Sequence, residues 1–168
     1  RKTLVWDLDP QGAASFILNG DKHKKDRARA MIEGDVKPSK LIRKTDFENI
    51  DLLAADVSLR GLDRFFFELG KKKHLARILR QLEKDYDRII LDCPPGLTET
   101  SEQILRNADL VIVPIIPSPL SERALKDVQR FLDSNGRKHA PLLPVYTMVD
   151  RRRTLHKQML TKHFCQLE

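Results

Sequence analysis

The sequence predicts a protein of the α/β class, with a mostly parallel sheet flanked by helices on both faces. Short apolar runs of strand length alternate with amphipathic segments, and two of these runs end in acidic residues followed by proline and glycine. The sequence contains no internal repeat. Strands that alternate with helices are typical of parallel sheets, whose ligand sites lie beyond the carboxyl ends of the strands. We expect residues 1–168 to form one domain.

The first half of the chain contains two predicted strands. Thr3 to Trp6 is an apolar run, and Ala13 to Leu18 can begin a short helix behind it. Asp21 to Arg29 is a charge run that we interpret as a solvated loop or helix face. Asn49 to Ala54 alternates briefly in polarity and is interpreted as the next strand. Two amphipathic helices should follow; their apolar positions are Leu59, Leu62, Phe65, Phe66 and Leu69, then Leu75, Ile78, Leu79 and Leu82.

The second half continues the same alternation. Ile89 to Leu91 is expected to be a strand buried on both faces, as in a parallel sheet. Leu110 to Ile116 predicts a strand, Ser121 to Leu132 a helix, and Leu142 to Val149 a further strand. Pro119 near the front of that helix and Gly136 beyond its end agree with the positions that proline and glycine prefer.

Carboxylates follow two of the predicted strands. Asp92 ends one strand, and Pro94 to Gly96 then force a loop. Asp7 and Asp9 end the first strand, and by strand alternation they point the same way. Two carboxylates side by side repel each other unless a cation or a proton donor lies between them. The pattern therefore indicates a metal–phosphate site, with turn-capping aspartates as the alternative interpretation.

The overall charge favours an anionic partner. The formal charge is +7 and the pI is about 9.5. Nucleic acid fits better than a membrane, because no apolar run approaches the roughly 20 residues of a spanning helix. The two cysteines, Cys93 and Cys165, have neither disulfide-framework nor metal-ligand spacing, which suits a reducing cytoplasm.

A basic triplet follows the last predicted strand. Arg151, Arg152 and Arg153 supply the charge that contacts with DNA phosphates require, without any need for sequence readout. The alternative interpretation is the solvated start of a helix.

Four segments, taken together, resemble a known family. Trp6 to Gly12 (Trp-Asp-Leu-Asp-Pro-Gln-Gly) looks like the second strand and first switch loop of the ParA/Soj-like partition ATPases, in the MinD-like deviant Walker class. Asp87 to Gly96 looks like their Walker B strand and second switch. Asn107 to Pro114 and Thr147 to Asp150 resemble the next strands in order. The resemblance implies a P-loop NTPase-like fold of the SIMIBI class, with ATP and Mg²⁺ as cofactors.

The resemblance also assigns roles to residues. Asp92 would hold Mg²⁺ through a water molecule, Asp9 would orient the hydrolytic water, and Asp7 would support the metal shell. Further nucleotide-binding positions are expected at Gln11 and Gly12 in the first switch loop, at Pro94 in the second, and at Met148 and Asp150 beside the base. The residues by themselves separate neither ATP from GTP nor hydrolysis from binding.

The function that the resemblance implies is segregation of plasmid or chromosome DNA. ATP would close a homodimer, the dimer would bind non-specific DNA through Arg151, Arg152 and Arg153, and a ParB-like partner would stimulate hydrolysis. We expect a cytoplasmic, nucleoid-associated protein without a membrane partner. One alternative is a MinD-like membrane-cycling ATPase, which would need an amphipathic C-terminal tail that this chain does not show. The other is a degenerate, non-hydrolysing ParA-like binding module.

The chain departs from the family pattern at both ends. Family members carry a strand and the phosphate loop Lys-Gly-Gly-x-Gly-Lys-Thr before the strand that begins here at Thr3, and they continue beyond Glu168. The single Gly-Lys pair, Gly70-Lys71, lacks the upstream glycine of a phosphate cradle. We therefore expect a ParA-type domain truncated at both ends. Since that loop supplies nearly all the positive potential, these 168 residues alone should bind ATP poorly and not hydrolyse it, whereas we expect the parent protein to be an ATPase.

Overall fold

The computed structural model describes residues 1–18, 27–62, 64, 74–134 and 140–164. The chain divides into two compact units, Arg1–Asn107 and Ala108–Glu168. Each unit contains parallel strands and flanking helices, so the predicted α/β class with a mostly parallel sheet is confirmed. A single domain over residues 1–168 stays a prediction.

The first unit contains a four-stranded sheet. Its elements are β1 (Thr3–Asp7), α1 (Ala13–Ile17), α2 (Ala28–Glu33), β2 (Arg43–Lys44), β3 (Ile50–Leu53), α3 (His74–Leu82), β4 (Arg88–Asp92) and α4 (Glu99–Asn107), with short 3-10 helices at Pro38–Lys40 and Val57–Gly61. The strand order is β2-β3-β1-β4. Strand β1 pairs in parallel with both β3 and β4, and only the two-residue β2 is antiparallel. The central position of β1 puts its carboxyl end between those of β3 and β4.

The hydrophobic core of this unit follows the predicted periodicities. Leu4 and Trp6 alternate along β1 and are fully buried. The apolar residues of α3 repeat at helical spacing, and all four are buried: Leu75, Ile78, Leu79 and Leu82. Full burial of one such side chain contributes roughly 1.5–3 kcal/mol. The predicted strand at Thr3 and the predicted helix around Leu75 to Leu82 are thus confirmed.

Helix α2 was not predicted. The charge run from Asp21 to Arg29 was interpreted as a solvated loop or helix face, without a helix that continues into the core. Positions 21–26 lie outside the described residues, and the last two residues of the run belong to α2. Met31 and Ile32 of this helix are buried in the core. Of the helix predicted from Leu59 to Leu69, the structure describes a 3-10 helix at Val57–Gly61, and Phe65, Phe66 and Leu69 lie outside the described residues.

Strand β4 is confirmed as a strand, but the expectation that it is buried on both faces was wrong. Ile90 is 53% exposed, and Ile89 and Leu91 are only partly buried. Within the described residues β4 pairs with β1 alone and is the edge of its sheet. An edge strand loses the cover that a second neighbouring strand would provide.

The second unit contains β5 (Val111–Ile115), α5 (Pro119–Ser134), β6 (Leu142–Tyr146) and α6 (Thr154–Phe164), with β5 parallel to β6. Pro119 is the first residue of α5, as expected from its fixed φ and missing N–H. Gly136 lies outside the described residues. Strand β6 ends before the predicted Val149 because Met148 has a left-handed φ of 52°, which cannot continue a strand. In the described part of the chain, no helix is both long and apolar enough to cross a bilayer.

Candidate functional site

The two acidic loops of the first unit leave the sheet side by side. Asp7 and Asp92 are partners in the parallel register of β1 and β4. The Leu8 N–H, one residue beyond β1, still donates a hydrogen bond to the Asp92 carbonyl oxygen at 2.9 Å. The sequence interpretation placed these carboxylates at one edge of the sheet, and the structure brings them together there.

Asp7 is enclosed by hydrogen-bond donors. Its side chain is fully buried, and its Oδ2 accepts hydrogen bonds from both the backbone N–H and the hydroxyl of Ser15 at 2.7 Å. Its Oδ1 accepts the Asp9 N–H at 3.1 Å. The Ser15 hydroxyl oxygen in turn accepts the Ala55 N–H at 2.8 Å. Asp7 therefore ties β1, the following loop and the segment after β3 into one buried network.

Asp9 lies in a tight turn held by its own backbone and side chain. Its Oδ1 accepts the Gln11 N–H and its carbonyl oxygen accepts the Gly12 N–H, both at 2.9 Å. Gly12 has φ of 67° and precedes α1, a left-handed conformation that strains residues with a Cβ atom. The Asp9 side chain remains half-exposed, so a ligand can reach it while the turn fixes its position.

Asp92 is influenced electrostatically by both other acids. Burial at the end of the strand raises the pKa of Asp92, and the negative charges of Asp7 and Asp9 raise it further, against a bond from the Cys93 N–H that lowers it. A carboxylate in such a position gains most from a neighbouring cation. The three acids thus form one electrostatic cluster.

The cluster fits a water-mediated Mg²⁺ site better than a protein cage. Among the described residues, no group of three His, Cys, Asp or Glu side chains is arranged to hold a metal ion. In phosphoryl-transfer sites Mg²⁺ keeps several waters and uses one or two carboxylates together with substrate phosphates. Half-exposed Asp92 matches that pattern, whereas the oxygens of Asp7 are already occupied by the protein.

The loop after Asp92 is fixed at its far end. The Ser101 hydroxyl donates to the Gly96 carbonyl oxygen at 2.6 Å, and Gly96 has a left-handed φ of 94°. Pro94 lies between this anchor and Asp92 and is half-buried. The predicted second switch loop therefore begins at the acid cluster and ends at a hydrogen-bonded turn before α4.

The remaining predicted site residues lie in the second unit. Met148 is 78% exposed. The Asp150 N–H donates to Nδ1 of the buried His156 at 3.0 Å. Hydrogen bonds from the Arg152 side chain and backbone hold the pKa of Asp150 below its usual value, with a smaller effect of the Arg153 and His156 charges.

The three arginines of the basic triplet are all exposed but not equivalent. Arg152 donates to both Asp150 oxygens, from Nε at 3.0 Å and from a terminal nitrogen at 3.2 Å. The guanidinium groups of Arg151 and Arg153 form no salt bridge with any other residue that the structure describes. Arg152 was the arginine that matched the family best, yet it is the one whose fork is already occupied.

Sequence reasoning missed Ser15 and Ala55. A small hydroxyl residue in the first turn of a helix that follows an acidic loop is a weak signal for Ser15, because such a side chain can reach back to the carboxylate. No sequence signal points to Ala55, since its contribution is a backbone N–H that only the fold brings to Ser15.

The family comparison agrees with this geometry. The AAA_31 family, described as an AAA domain, matches residues 1–141. The chain belongs to this family, and its relatives identify it as a ParA-like member of the P-loop ATPases. The resemblance to ParA/Soj-like proteins is confirmed.

Three relatives are representative. The virulence plasmid ParA family protein pGP5-D of Chlamydia psittaci is 28% identical over 155 residues, which cover 90% of this chain and 59% of that protein. The chromosome partitioning protein ParA of Caulobacter vibrioides is 27% identical over 169 residues, covering 94% and 62%. A solved structure of cobyrinic acid a,c-diamide synthase from Mycobacterium smegmatis, with bound ATP analogue and magnesium, has 32% identity and a TM-score of 0.84, covering 98% of this chain and 70% of that one.

These comparisons also define what is shared. The chain spans about 60% of the length of the two ParA relatives. The ATP analogue and magnesium of the solved relative are the two cofactors expected from the sequence. Of these three relatives, the solved one is described with a bound nucleotide analogue, and the names of the three describe different activities.

Proposed function

We propose that this chain belongs to a ParA-type ATPase that segregates plasmid or chromosome DNA. The observation that supports it most directly is the cluster of Asp7, Asp9 and Asp92 at one edge of the sheet, in a member of this family. ATP would favour a homodimer that binds DNA without sequence preference, and a ParB-like partner would stimulate hydrolysis. A cytoplasmic, nucleoid-associated location without membrane binding belongs to the same proposal.

The three acids of the cluster would have different roles in hydrolysis. Asp9 accepts the Gln11 N–H through Oδ1, so Oδ2 is the oxygen that would orient the attacking water. Asp92 would hold Mg²⁺ through a water molecule, and the ion, when bound, neutralises charge on the phosphates. Asp7 would support the site by fixing the Asp9 backbone.

The flanking loops would read the nucleotide. Gln11 and Gly12 would sense the γ-phosphate, because both backbone N–H groups are tied to Asp9 and would move with it. Pro94 would contact the nucleotide from the second switch loop. Met148 and Asp150 are proposed to lie beside the base, and the exposure and left-handed φ of Met148 suit a residue placed for contact.

Nucleotide binding is the first test. Three carboxylates repel a polyphosphate, and the family's lysine- and glycine-rich loop supplies the compensating N–H groups and charge. We expect fluorescent ATP titration to show no saturable micromolar binding to the 168 residues, and micromolar binding once a strand carrying Lys-Gly-Gly-x-Gly-Lys-Thr precedes them. Micromolar affinity of the 168 residues alone would overturn this expectation.

Hydrolysis is the second test, made on the protein that carries the loop. Asp9→Ala should lower the ATP hydrolysis rate by about 10²-fold, the lower end for loss of a positioned catalytic group, while leaving ATP affinity within about twofold. The exposed Asp35, changed to Ala, is the matched control and should hydrolyse at the parent rate. Equal rates for Asp9→Ala and its parent would refute the role of Asp9.

DNA binding tests the basic triplet. If the arginines contact phosphates, the logarithm of the affinity should fall with the logarithm of salt concentration by about 0.9 per phosphate contacted. Arg152→Ala should weaken binding to all sequences alike, and Arg151→Ala and Arg153→Ala should do so at least as strongly, because their guanidinium groups are not bound to Asp150. Lys84→Ala, exposed in the first unit, is the control. Salt-independent binding would argue against this part of the proposal.

The second candidate function is ATP-dependent amide synthesis, favoured by the name of the 32% identical structure, a diamide synthase. A hydrolysis rate that rises with DNA supports partition, and a rate that is unchanged by DNA but changes with cobyrinic acid supports the synthase.

The degenerate binding module would show DNA binding without hydrolysis even when the loop is present. Release of the protein from nucleoid to lipid vesicles by ATP would instead indicate the MinD-like alternative.

A further inference from the structure

A cavity of about 240 Å³ opens in the first unit beside β3. Its apolar lining includes partly exposed side chains and buried ones behind the accessible surface: Leu41, Ile42 and Ala54, then Trp6, Met31 and Leu53. Strand β1 separates β3 from β4, and the lining includes residues of β1 and β3 but none of β4. None of the residues assigned to the nucleotide site lines this cavity.

The polar part of the lining carries excess positive charge. Arg27, Lys40 and Arg43 line the cavity, and none of the three forms a salt bridge with another residue of the described chain. The one carboxylate in the lining is Asp56. Its oxygens are already used, since they accept the Ala28 N–H at 2.7 Å and the Ser58 N–H at 2.8 Å, among others. Asp56 keeps its negative charge, so the lining holds three positive charges against one, and an anion would neutralise the excess.

The size of the cavity restricts the ligand. Sites for drug-sized ligands measure about 300–1,000 Å³, so a space of about 240 Å³ suits one ring with a small head group better than a nucleotide. The partly exposed side chains of Leu41, Ile42 and Ala54 offer contact area for an apolar or aromatic body, and the buried Trp6 belongs to the same lining. The arginines offer forked donors that match phosphate or carboxylate oxygens.

We propose that this cavity binds a small organic anion that carries an aromatic or apolar body and a doubly charged head group. The body packs against Leu41 and Ile42, and the head group bonds Lys40, Arg43 and Arg27. Hydrogen bonds connect the cavity to the acid cluster. Ala55 lines the cavity, its N–H donates to the Ser15 hydroxyl oxygen, and that hydroxyl donates to Asp7. This is a second site, separate from the proposed ATPase chemistry.

Trp6 provides the reporter, since it is the only tryptophan of the 168 residues. Phenyl phosphate serves as the probe and is titrated while tryptophan fluorescence is recorded; inorganic phosphate and benzyl alcohol supply the head group and the ring separately. We expect a saturable change with phenyl phosphate and at least about tenfold weaker binding of either part, because charged hydrogen bonds and ring burial should each contribute at least the free energy of a tenfold change in affinity. A change that is linear in concentration, or inorganic phosphate binding as tightly as phenyl phosphate, overturns the proposal.

Paired charge variants locate the site. Lys40→Gln with Arg43→Gln should weaken phenyl phosphate binding by about tenfold or more, whereas Arg80→Gln with Lys84→Gln removes the same charge from exposed positions outside the cavity and should leave it unchanged. Circular dichroism checks that both are folded; if the first pair is not, Lys40→Gln alone should weaken binding a few-fold. Equal losses in both pairs, or a loss of DNA affinity without any response of Trp6 to the probe, would show that the charges act as a general basic surface.

Discussion

Asp7 and Asp92 occupy equivalent places in the sheet and have opposite surroundings. Each ends a parallel strand, each precedes a proline-containing loop, and the two are register partners. Asp7 is fully buried and accepts three hydrogen bonds within the protein. Asp92 is half-exposed, and burial together with the charges of Asp7 and Asp9 raises its pKa.

This contrast separates an acid that holds the structure from an acid that is available for a ligand. Three hydrogen bonds hold the Asp7 side chain within the fold, so its removal leaves the donors without a partner. Like charges and desolvation disfavour the charged form of Asp92, so a cation brought by a ligand would relieve the repulsion. The two roles should therefore separate in stability measurements.

The largest expected effect is that of Asp7→Ala. Removing the carboxylate leaves the Ser15 N–H, the Ser15 hydroxyl and the Asp9 N–H without their acceptor, and we expect the free energy of unfolding to fall by about 3 kcal/mol. Urea denaturation measures this loss. The control Asp35→Ala, at an exposed position, should change it by less than about 0.5 kcal/mol. A loss below about 1 kcal/mol for Asp7→Ala would mean that the network is not structural.

Ser15→Ala tests the same network from its other end. It removes the hydroxyl that joins Asp7 to the Ala55 N–H but keeps the bond from the Ser15 N–H, so we expect a smaller loss of about 1.5 kcal/mol. Ser39→Ala, which is exposed, provides the matched control in the same urea experiment. A Ser15→Ala protein as stable as the parent would show that water replaces the hydroxyl.

A third acid, Asp51, is buried like Asp7 but has a cation as a partner. Its burial alone would raise the pKa of Asp51, yet the hydrogen bonds from Lys44 and Tyr86 hold that pKa below its usual value. Tyr86→Phe deletes the 2.8 Å bond to Asp51 and should cost about 1 kcal/mol, since Lys44 still pairs with the carboxylate. Thermal unfolding of the two proteins measures this. An unchanged unfolding midpoint would mean that Lys44 alone stabilises the buried Asp51 carboxylate.

The smallest effect is expected at Asp92 and should depend on pH. A raised pKa in the folded protein means that the folded state binds the proton more tightly than the unfolded state, so charging Asp92 lowers stability as pH rises through the folded pKa. Asp92→Asn should therefore raise the free energy of unfolding at pH 7 by about 0.5 kcal/mol, a value that allows for solvent screening. The gain should vanish below the ordinary aspartate pKa near 4. Urea unfolding at the two pH values, with chelator present, tests this; a gain that persists at low pH would exclude the charge as its cause.

The order of strands and loops around the site was predictable because it depends on local patterns. Apolar runs predicted β1, β4 and β5, alternating polarity predicted β3, and the prolines and glycines after Asp7 and Asp92 predicted the loops. Helix α2 was missed because its short apolar pattern, Ala28, Met31 and Ile32, follows a charge run that dominates its window. The burial expected for β4 was wrong because hydrophobicity alone does not report a strand's position in the sheet.

The amino-acid sequence by itself determined the class of fold, the two acidic loops and the family, since each rests on patterns within short segments and on the order of those segments along the chain. Only the tertiary structure decided which aspartate is buried and which is accessible, because that depends on donors from Ser15 and on the placement of β4 at an edge. The same holds for the cavity beside β3, whose charges and apolar wall come from positions 6 to 56 and meet only after the chain has folded.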